Sequence, residues 1–280
     1  MDTREQFRSE FPVLGMIHLP ALPGAPAFDG DRDAIRTRML ADARALEDGG
    51  VDGIILENFG DAPFYPERVP KHVVAELTAL ATTLTDSVAV PVGINVLRND
   101  AIAAMSIAAA TGAQFVRVNV HIGAAATDQG IIEGQAHETL RLRDRLDADV
   151  ALLADVHVKH ATPIGDRPIE ETAIETVERG RADGLVVSGP GTGREAALDD
   201  VERVVDAVSD SSASGNRSVP VLVGSGVTAA TIGNGVAAGA DGAIVGTALK
   251  AGGETANPVS RERVREVVGA AREGSSEGDE

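Results

Sequence analysis

The sequence predicts an α/β protein: a single-domain (β/α)8 TIM barrel over residues 1–273, with a short N-terminal lead-in and a disordered acidic tail at 274–280. Three observations predict it. Eight short apolar runs alternate with segments whose apolar residues fall at helical spacing. Several runs end in polar residues two apart, and a glycine signal recurs just before four of them. Parallel strands covered by helices read as near-continuous Val/Ile-rich runs, and strand–helix alternation over about 250 residues is the pattern of a closed barrel.

Taken in order, the first strand is Val13–His18, and a helix over 33–47 carries Ile35, Met39, Leu40, Ala43 and Leu46 on one stripe. Gly49-Gly-Val-Asp-Gly53 ends that helix, since a glycine just past a helix C-terminus takes the left-handed cap conformation. The second strand, Gly53–Glu57, precedes a helix over 72–84 with Val73, Val74, Leu77, Leu80 and Leu84. The third, Val90–Val96, precedes an alanine-rich helix over 102–110 that stops at Thr111-Gly-Ala-Gln114. Phe115–Val120 is the fourth, followed by a polar amphipathic helix over 133–146. Ala151–Val158 is the fifth, with a helix over 168–178 and the stop Gly180-Arg-Ala-Asp-Gly184. Gly184–Ser188 is the sixth; a helix over 195–208 and a Ser/Gly/Asn-rich surface loop at 209–218 follow. The seventh, Val219–Val223, leads through an alanine-rich helix to Gly239-Ala-Asp-Gly242. Gly242–Val245 is the eighth, and a helix over 260–272 closes the barrel. A doubly wound sheet is the alternative, but the Gly-x-Gly-x-x-Gly turn of a dinucleotide fold is missing after the first strand.

Composition narrows the function. No apolar run approaches the roughly 20 residues of a membrane helix, and the polar N-terminus is not that of a signal peptide. The expectation is a cytoplasmic protein with no integral membrane segment. Without cysteine, disulfides, thiolate metal sites and a cysteine nucleophile are excluded. A net charge of −18 repels phosphate backbones and anionic lipid, so no nucleic-acid partner is expected. High Asp/Glu, only three lysines and few aromatics point to a salt-adapted, halophilic archaeal cytoplasm. There the acidity serves solvation and says little about substrate. Homo-oligomerisation is expected from the fold alone.

In such a barrel the C-terminal ends of the strands carry the active face. The fifth strand is the richest, running Ala151-Leu-Leu-Ala-Asp155-Val-His157-Val-Lys159-His160. Alternation along a strand puts Asp155, His157 and Lys159 on one side. With Glu57 and Asn119 they form the candidate catalytic set, suited to proton transfer or carbonyl polarisation. Lys159 has three possible uses: a Schiff base, a cation for a phosphate or enolate oxygen, or a partner for a carboxylate at the barrel mouth. His18, Asn58, Asn95, Arg117, His121 and Ser188 are candidate substrate ligands; Arg117 would equally neutralise Glu57 or Asp155. Asp155, His157, Glu57, His18 and His121 could together supply mixed ligands for a divalent ion, though no local spacing supports a metal, and the cofactor stays open. Glycines after the seventh and eighth strands, in Gly224-Ser225-Gly226 and Gly246-Thr247, let backbone N–H groups approach a phosphate. Gly191 and Gly193 after the sixth strand add further donors. Tight turns and close packing are the other use of these glycines. His72 and His137 lie in helical patterns and are expected to face solvent.

Three segments carry a family resemblance: Gly15-Met-Ile-His18-Leu-Pro20-Ala-Leu-Pro23-Gly24, Gly53-Ile-Ile-Leu-Glu57-Asn58 and Ala154-Asp155-Val-His157-Val-Lys159-His160. They resemble the BtpA family, including its sugar-operon relatives called SgcQ, from about Val13 to Leu249. The family takes its name from a factor needed for photosystem I accumulation, and its relatives in non-photosynthetic organisms imply an older role in small-molecule metabolism. The resemblance implies a barrel similar to phosphate-binding (β/α)8 enzymes. No residue role is carried over from it; the site residues rest on strand-end position. The resulting expectation is an enzyme acting on a small phosphorylated metabolite, a sugar-phosphate isomerase or aldolase-type lyase. The alternatives are a non-catalytic assembly factor for a membrane complex and a ligand-binding module.

Overall fold

The computed structural model describes residues 6–158, 160–165, 167–189, 197–210 and 219–277. Among them, eight parallel strands close a barrel: β1 (Val13–His18), β2 (Gly53–Glu57), β3 (Val92–Asn95), β4 (Phe115–Val118), β7 (Ala151–Val156), β9 (Gly184–Ser188), β10 (Val221–Gly224) and β11 (Gly242–Val245). The hydrogen-bonded order is β1-β11-β10-β9-β7-β4-β3-β2. Three further strands, β5 (Ala124–Thr127), β6 (Gly130–Glu133) and β8 (Ala161–Pro163), make a separate antiparallel sheet in the order β6-β5-β8. Because β5 and β6 follow β4, and β8 follows β7, this flap belongs to the C-terminal end of the barrel. The helices are α1 (Arg32–Gly49), α2 (Lys71–Thr85), α3 (Ala101–Thr111), α4 (Ala136–Arg145), α5 (Ile169–Glu178), α6 (Leu198–Asp210), α7 (Ile232–Ala237) and α8 (Arg261–Glu277).

Period-two alternation sorts the strands into two cores. Outward residues such as Val13, Ile54, Leu56, Val116, Leu152, Leu185 and Val221 pack against the helical stripes, including Ile35, Met39 and Leu46 of α1 and Val73, Leu77 and Leu84 of α2. Inward residues Leu14, Met16, Ile55, Phe115, Leu153, Val186, Leu222 and Ile244 form a second cluster with Phe7. Phe7 meets Phe115 edge to face at 5.6 Å between centroids, closing the barrel floor. Gly93 makes room for that ring, since a Cβ there would lie 2.1 Å from Phe115. Filling the interior with large residues opposite small ones gives a packed core and not a pore.

The glycine signal before the strands, acidic in three cases and Gln114 in the fourth, has a structural cause. In each of its four occurrences the residue just before a strand binds a backbone N–H at the start of the previous barrel strand. Asp52 accepts from Val13 N, Gln114 from Val92 N, Asp183 from Leu152 N and Asp241 from Val221 N, at 2.8–2.9 Å. These clasps join β1 to β2, β3 to β4, β7 to β9 and β10 to β11. They satisfy N–H groups that would otherwise be unpaired at the barrel floor.

Several expectations are corrected. The helix expected from residue 133 begins at Ala136, because Gly130–Glu133 pairs with Ala124–Thr127 as a hairpin. The fourth and fifth strands stop at Val118 and Val156, each two residues early. The final helix runs through Gly274 to Glu277, into the segment expected to be a tail. It does so because α8 lies against α7; a Cβ at Gly274 would sit 3.5 Å from Gly233. Most of the expected loop at 209–218 lies outside the described residues, and α6 reaches Asp210.

Candidate active site

The inward row that is apolar at mid-barrel turns polar one step higher. Two residues beyond Met16, Ile55, Gly93, Phe115, Leu153, Val186, Leu222 and Ile244 stand His18, Glu57, Asn95, Arg117, Asp155, Ser188, Gly224 and Gly246. Alternation therefore carries all eight to one ring at the C-terminal mouth.

Arg117 and Asp155 form the centre of this ring. Arg117 Nη2 donates to both Asp155 oxygens at 2.9 and 3.1 Å, and Nε donates to Oδ1 at 3.2 Å. Asn119 Nδ2 donates to Asp155 Oδ2 at 2.8 Å, and Arg117 Nη2 reaches Ser188 Oγ at 3.4 Å. Both members of the pair are buried. Burial disfavours the Arg117 cation, but Asp155 and then Glu57 outweigh it, so its pKa stays above the ordinary arginine value. The expected neutralising role of Arg117 is thus realised on Asp155. Asn95 Nδ2 donates to Arg117 O at 2.9 Å and Asn119 Oδ1 at 3.2 Å, while its own Oδ1 is buried without a hydrogen-bond partner.

On the β1–β2 side, His18 Nε2 lies 3.8 Å from Glu57 Oε1. The His18 ring packs on Phe59 at 4.8 Å and against Gly246, where a Cβ would stand 2.9 Å from His18 Cε1. Asn58 is a loop organiser: its Oδ1 accepts from Leu97 N at 2.8 Å and its Nδ2 donates to Asp61 at 2.9 Å.

Three cavities surround the ring. The first, about 170 Å³, lies over β10, β11 and β1, with His18, Arg117, Ser225, Gly226, Thr228, Gly246, Thr247 and Arg263 in its wall. Ser225 is held at φ +61° and Gly226 at +68°, and the Ser225 hydroxyl is buried with no hydrogen-bond partner. A non-glycine residue in the left-handed region with an unsatisfied hydroxyl is strained twice over. The second cavity, about 580 Å³, is bounded by Glu57, Phe59, Phe64, Arg98, Asn119, Asp128 and His160. The third, about 310 Å³, lies between Asn119, Asp155, His157 and the flap.

Two expected site residues lie apart from the ring. His121 turns away, its Nε2 2.7 Å from Gly180 O, and burial lowers its pKa. His157 follows the end of β7 at φ +52°, so alternation stops there and it does not continue the Asp155 face. Its Nε2 lies 3.4 Å from Thr172 Oγ1, and burial lowers its pKa as well. Lys159, Gly191 and Gly193 lie outside the described residues. No group of three His, Asp or Glu side chains able to hold a metal forms among the described residues, so the expected mixed-ligand set is not brought together. His72 and His137 are exposed.

Sequence reasoning missed Arg98, Asn99, Lys250 and Arg263. Asn99 locks the start of the flap, accepting from Val120 N and donating to Val120 O, both at 2.8 Å. Arg98 is buried beside Glu57, which partly offsets the cost of burying the cation. Arg263 comes from the first turn of α8 and donates to Ala248 O at 2.6 Å. Lys250 is buried; its Nζ donates to Met16 O at 2.8 Å, and desolvation lowers its pKa to about 8. Rare lysine was a usable signal for Lys250, but the other three carry no local mark.

A model of the BtpA family matches residues 9–273. A photosystem I biogenesis protein BtpA from Synechocystis is 44% identical over 274 residues, covering 98% of this chain and 92% of that protein. An uncharacterised protein of Thermococcus kodakarensis is 48% identical over 262 residues, covering 94% of this chain and 95% of its own. Among solved structures, a thiamine phosphate pyrophosphorylase from Pyrococcus furiosus superposes with a TM-score of 0.59 at 14% identity, covering 95% of this chain and 98% of the other. An N-(5'-phosphoribosyl)anthranilate isomerase from the same organism gives 0.57 at 14% identity over 94% and 99%. At such identity the superpositions establish the barrel. No described helix is long and apolar enough to cross a membrane.

Proposed function

The chain belongs to the BtpA family, and we propose that it is a cytoplasmic phosphate-binding (β/α)8 enzyme acting on a small phosphorylated carbonyl compound. The observation that carries this reading is the wall of the 170 Å³ cavity, where Arg117 and His18 of the polar ring meet Ser225, Gly226, Gly246 and Thr247. Backbone N–H groups of glycine turns, two hydroxyls and the Arg263 cation suit a phosphate dianion. The carbonyl end of the ligand then lies over the ring. Arg117 is held by Asp155 and polarises an oxygen that gains charge. Glu57 and His18 are the pair placed to take a proton from the carbon beside the carbonyl and to return it. That inventory suits an isomerase or an aldolase-type lyase.

Thermal unfolding with inorganic phosphate and a panel of sugar phosphates tests the reading. A ligand at a hundred times its Kd stabilises by about 2.7 kcal/mol. Arg263→Ala should cut the phosphate response at least tenfold in affinity. Glu57→Gln should keep binding and lose turnover. Absence of any response to inorganic phosphate or sugar phosphates overturns the proposal. A second reading, a non-catalytic assembly factor, draws on the Synechocystis relative, whose name places it in photosystem I biogenesis. It requires that substitutions at Glu57, His18 and Arg263 leave cellular function intact.

A further inference from the structure

The 310 Å³ cavity under the flap is not used by the phosphate or by the proton-transfer pair. It is close to the lower end of the about 300–1,000 Å³ span of small-molecule sites. One wall is aliphatic: Val120, Ala125, Val158 and Ala161 belong to the flap's own small core, separate from both barrel cores. Asn119 and Asp155 stand at the end facing the polar ring, so the cavity opens beside the proposed reaction centre.

Most of its polar side chains are committed; His157, with one long contact of 3.4 Å to Thr172, is the partner left for a ligand edge. Asp155 already accepts from Arg117 and Asn119. Thr176 Oγ1 donates to Thr172 O, Thr172 Oγ1 donates to Pro168 O, and Arg167 is paired with Glu175. A hydroxyl-rich chain entering here would leave groups unpaired, at about 1–3 kcal/mol for each one buried. A flat unsaturated ring has no such requirement. Its faces bury apolar area against the aliphatic wall, worth about 25 cal/mol per Å², and its edge needs one or two partners.

We infer that the cavity under the flap receives the non-phosphorylated end of the substrate, and that this end is a flat unsaturated ring and not an acyclic polyol. The inference rests on the phosphate reading for the other end of the ligand. Only β9 separates β10 from β7 in the barrel, so the phosphate turn and the cavity are about 10 Å apart at a strand spacing of about 4.8 Å. A phosphorylated ribosyl ring compound spans that gap.

The test uses the full chain and titration calorimetry with inorganic phosphate, ribose 5-phosphate, adenosine and adenosine monophosphate. Adenosine monophosphate should bind at least tenfold more tightly than ribose 5-phosphate. Ala161→Trp, which fills the cavity, should abolish that advantage and leave inorganic phosphate binding unchanged. Ile164→Asp, at a half-exposed position on the cavity rim, keeps the fold safe and should reduce the same advantage. Equal affinity for the two phosphate esters, or an advantage that survives both substitutions, overturns the inference. If inorganic phosphate does not bind, the phosphate reading fails on its own. Adenosine binding that Ala161→Trp abolishes then still upholds the cavity's role, and adenosine that does not bind overturns it.

Discussion

The two sides of the barrel mouth are built by opposite means. Over β10 and β11 the wall is backbone and small side chains: Gly224, Gly226 and Gly246, with Ser225 in a left-handed turn. Over β4 and β7 it is a dense cluster of Arg117, Asn119 and Asp155 capped by a three-stranded flap. One side leaves the Ser225 hydroxyl unsatisfied; the other pairs the polar groups of its cluster and keeps its cavity above them, under the flap. An open cavity and a rigid electrostatic centre thus sit on the same ring and meet at one residue, Arg117. The difference teaches where substitutions should hurt binding and where they should hurt folding.

The largest expected effect is on the crowded side. Arg117→Met leaves Asp155 buried and uncompensated, so thermal or denaturant unfolding should show a loss of about 3–5 kcal/mol. Adding Asp155→Leu should recover most of that loss, because replacing both members of a buried pair is often nearly neutral. A single-variant loss below about 1 kcal/mol would mean that water already screens the pair, and the contrast between the sides would collapse. On the open side, Gly226→Ala forces a left-handed backbone on an L-residue at φ +68°, costing roughly 1–2 kcal/mol. Its main effect should appear in calorimetry, as phosphate affinity at least tenfold lower. Unchanged phosphate affinity would remove the open side's assigned role.

Acid stability sharpens the crowded side further. Burial holds the neutral form of His121, with the Gly180 carbonyl opposing and only partly offsetting it. Its folded pKa is depressed, so the unfolded chain takes the proton first. The stabilising contribution is complete above the unfolded value of about 6.5 and is lost as pH falls through the folded value. Unfolding free energy should therefore drop below about pH 6.5, and His121→Gln should flatten that slope. An unchanged slope would show that His121 takes up its proton equally in the folded and the unfolded chain. The smallest effect belongs to the outer flap. Ile131→Thr, at a residue 61% exposed, should shift stability by less than about 0.5 kcal/mol and leave phosphate binding alone.

The barrel was legible because alternation and helix stops are local. The four glycine signals each mark a clasp, three by aspartate and one by Gln114, whose partner is one barrel strand back; the sequence shows the spacing without the bond. The polar ring was legible for the same reason, since each member stands two positions past an inward packing residue. The flap was not. Ala124-Ala-Ala-Thr127 has little strand propensity, and although β6 follows it directly, its other partner, β8, lies more than thirty residues on. His157 failed for a subtler reason: Val156-His157-Val158 continues the alternating pattern that the backbone abandons at φ +52°. Arg98 and Arg263 are set by tertiary packing, which no local pattern encodes.

Arg263 gives the open side a mechanical tie to the far end of the barrel. The Arg263 cation in the wall of the 170 Å³ cavity lies on α8, and the same helix grips the barrel floor, with Arg272 donating to Phe11 O at 3.0 Å and to Asp52 at 2.6 Å. α8 therefore runs as one strut from the barrel mouth, at Arg263, to the barrel floor, at Arg272. Under the phosphate proposal, inorganic phosphate should slow proteolytic cutting within α8, and an unchanged cutting rate would break that tie between mouth and floor.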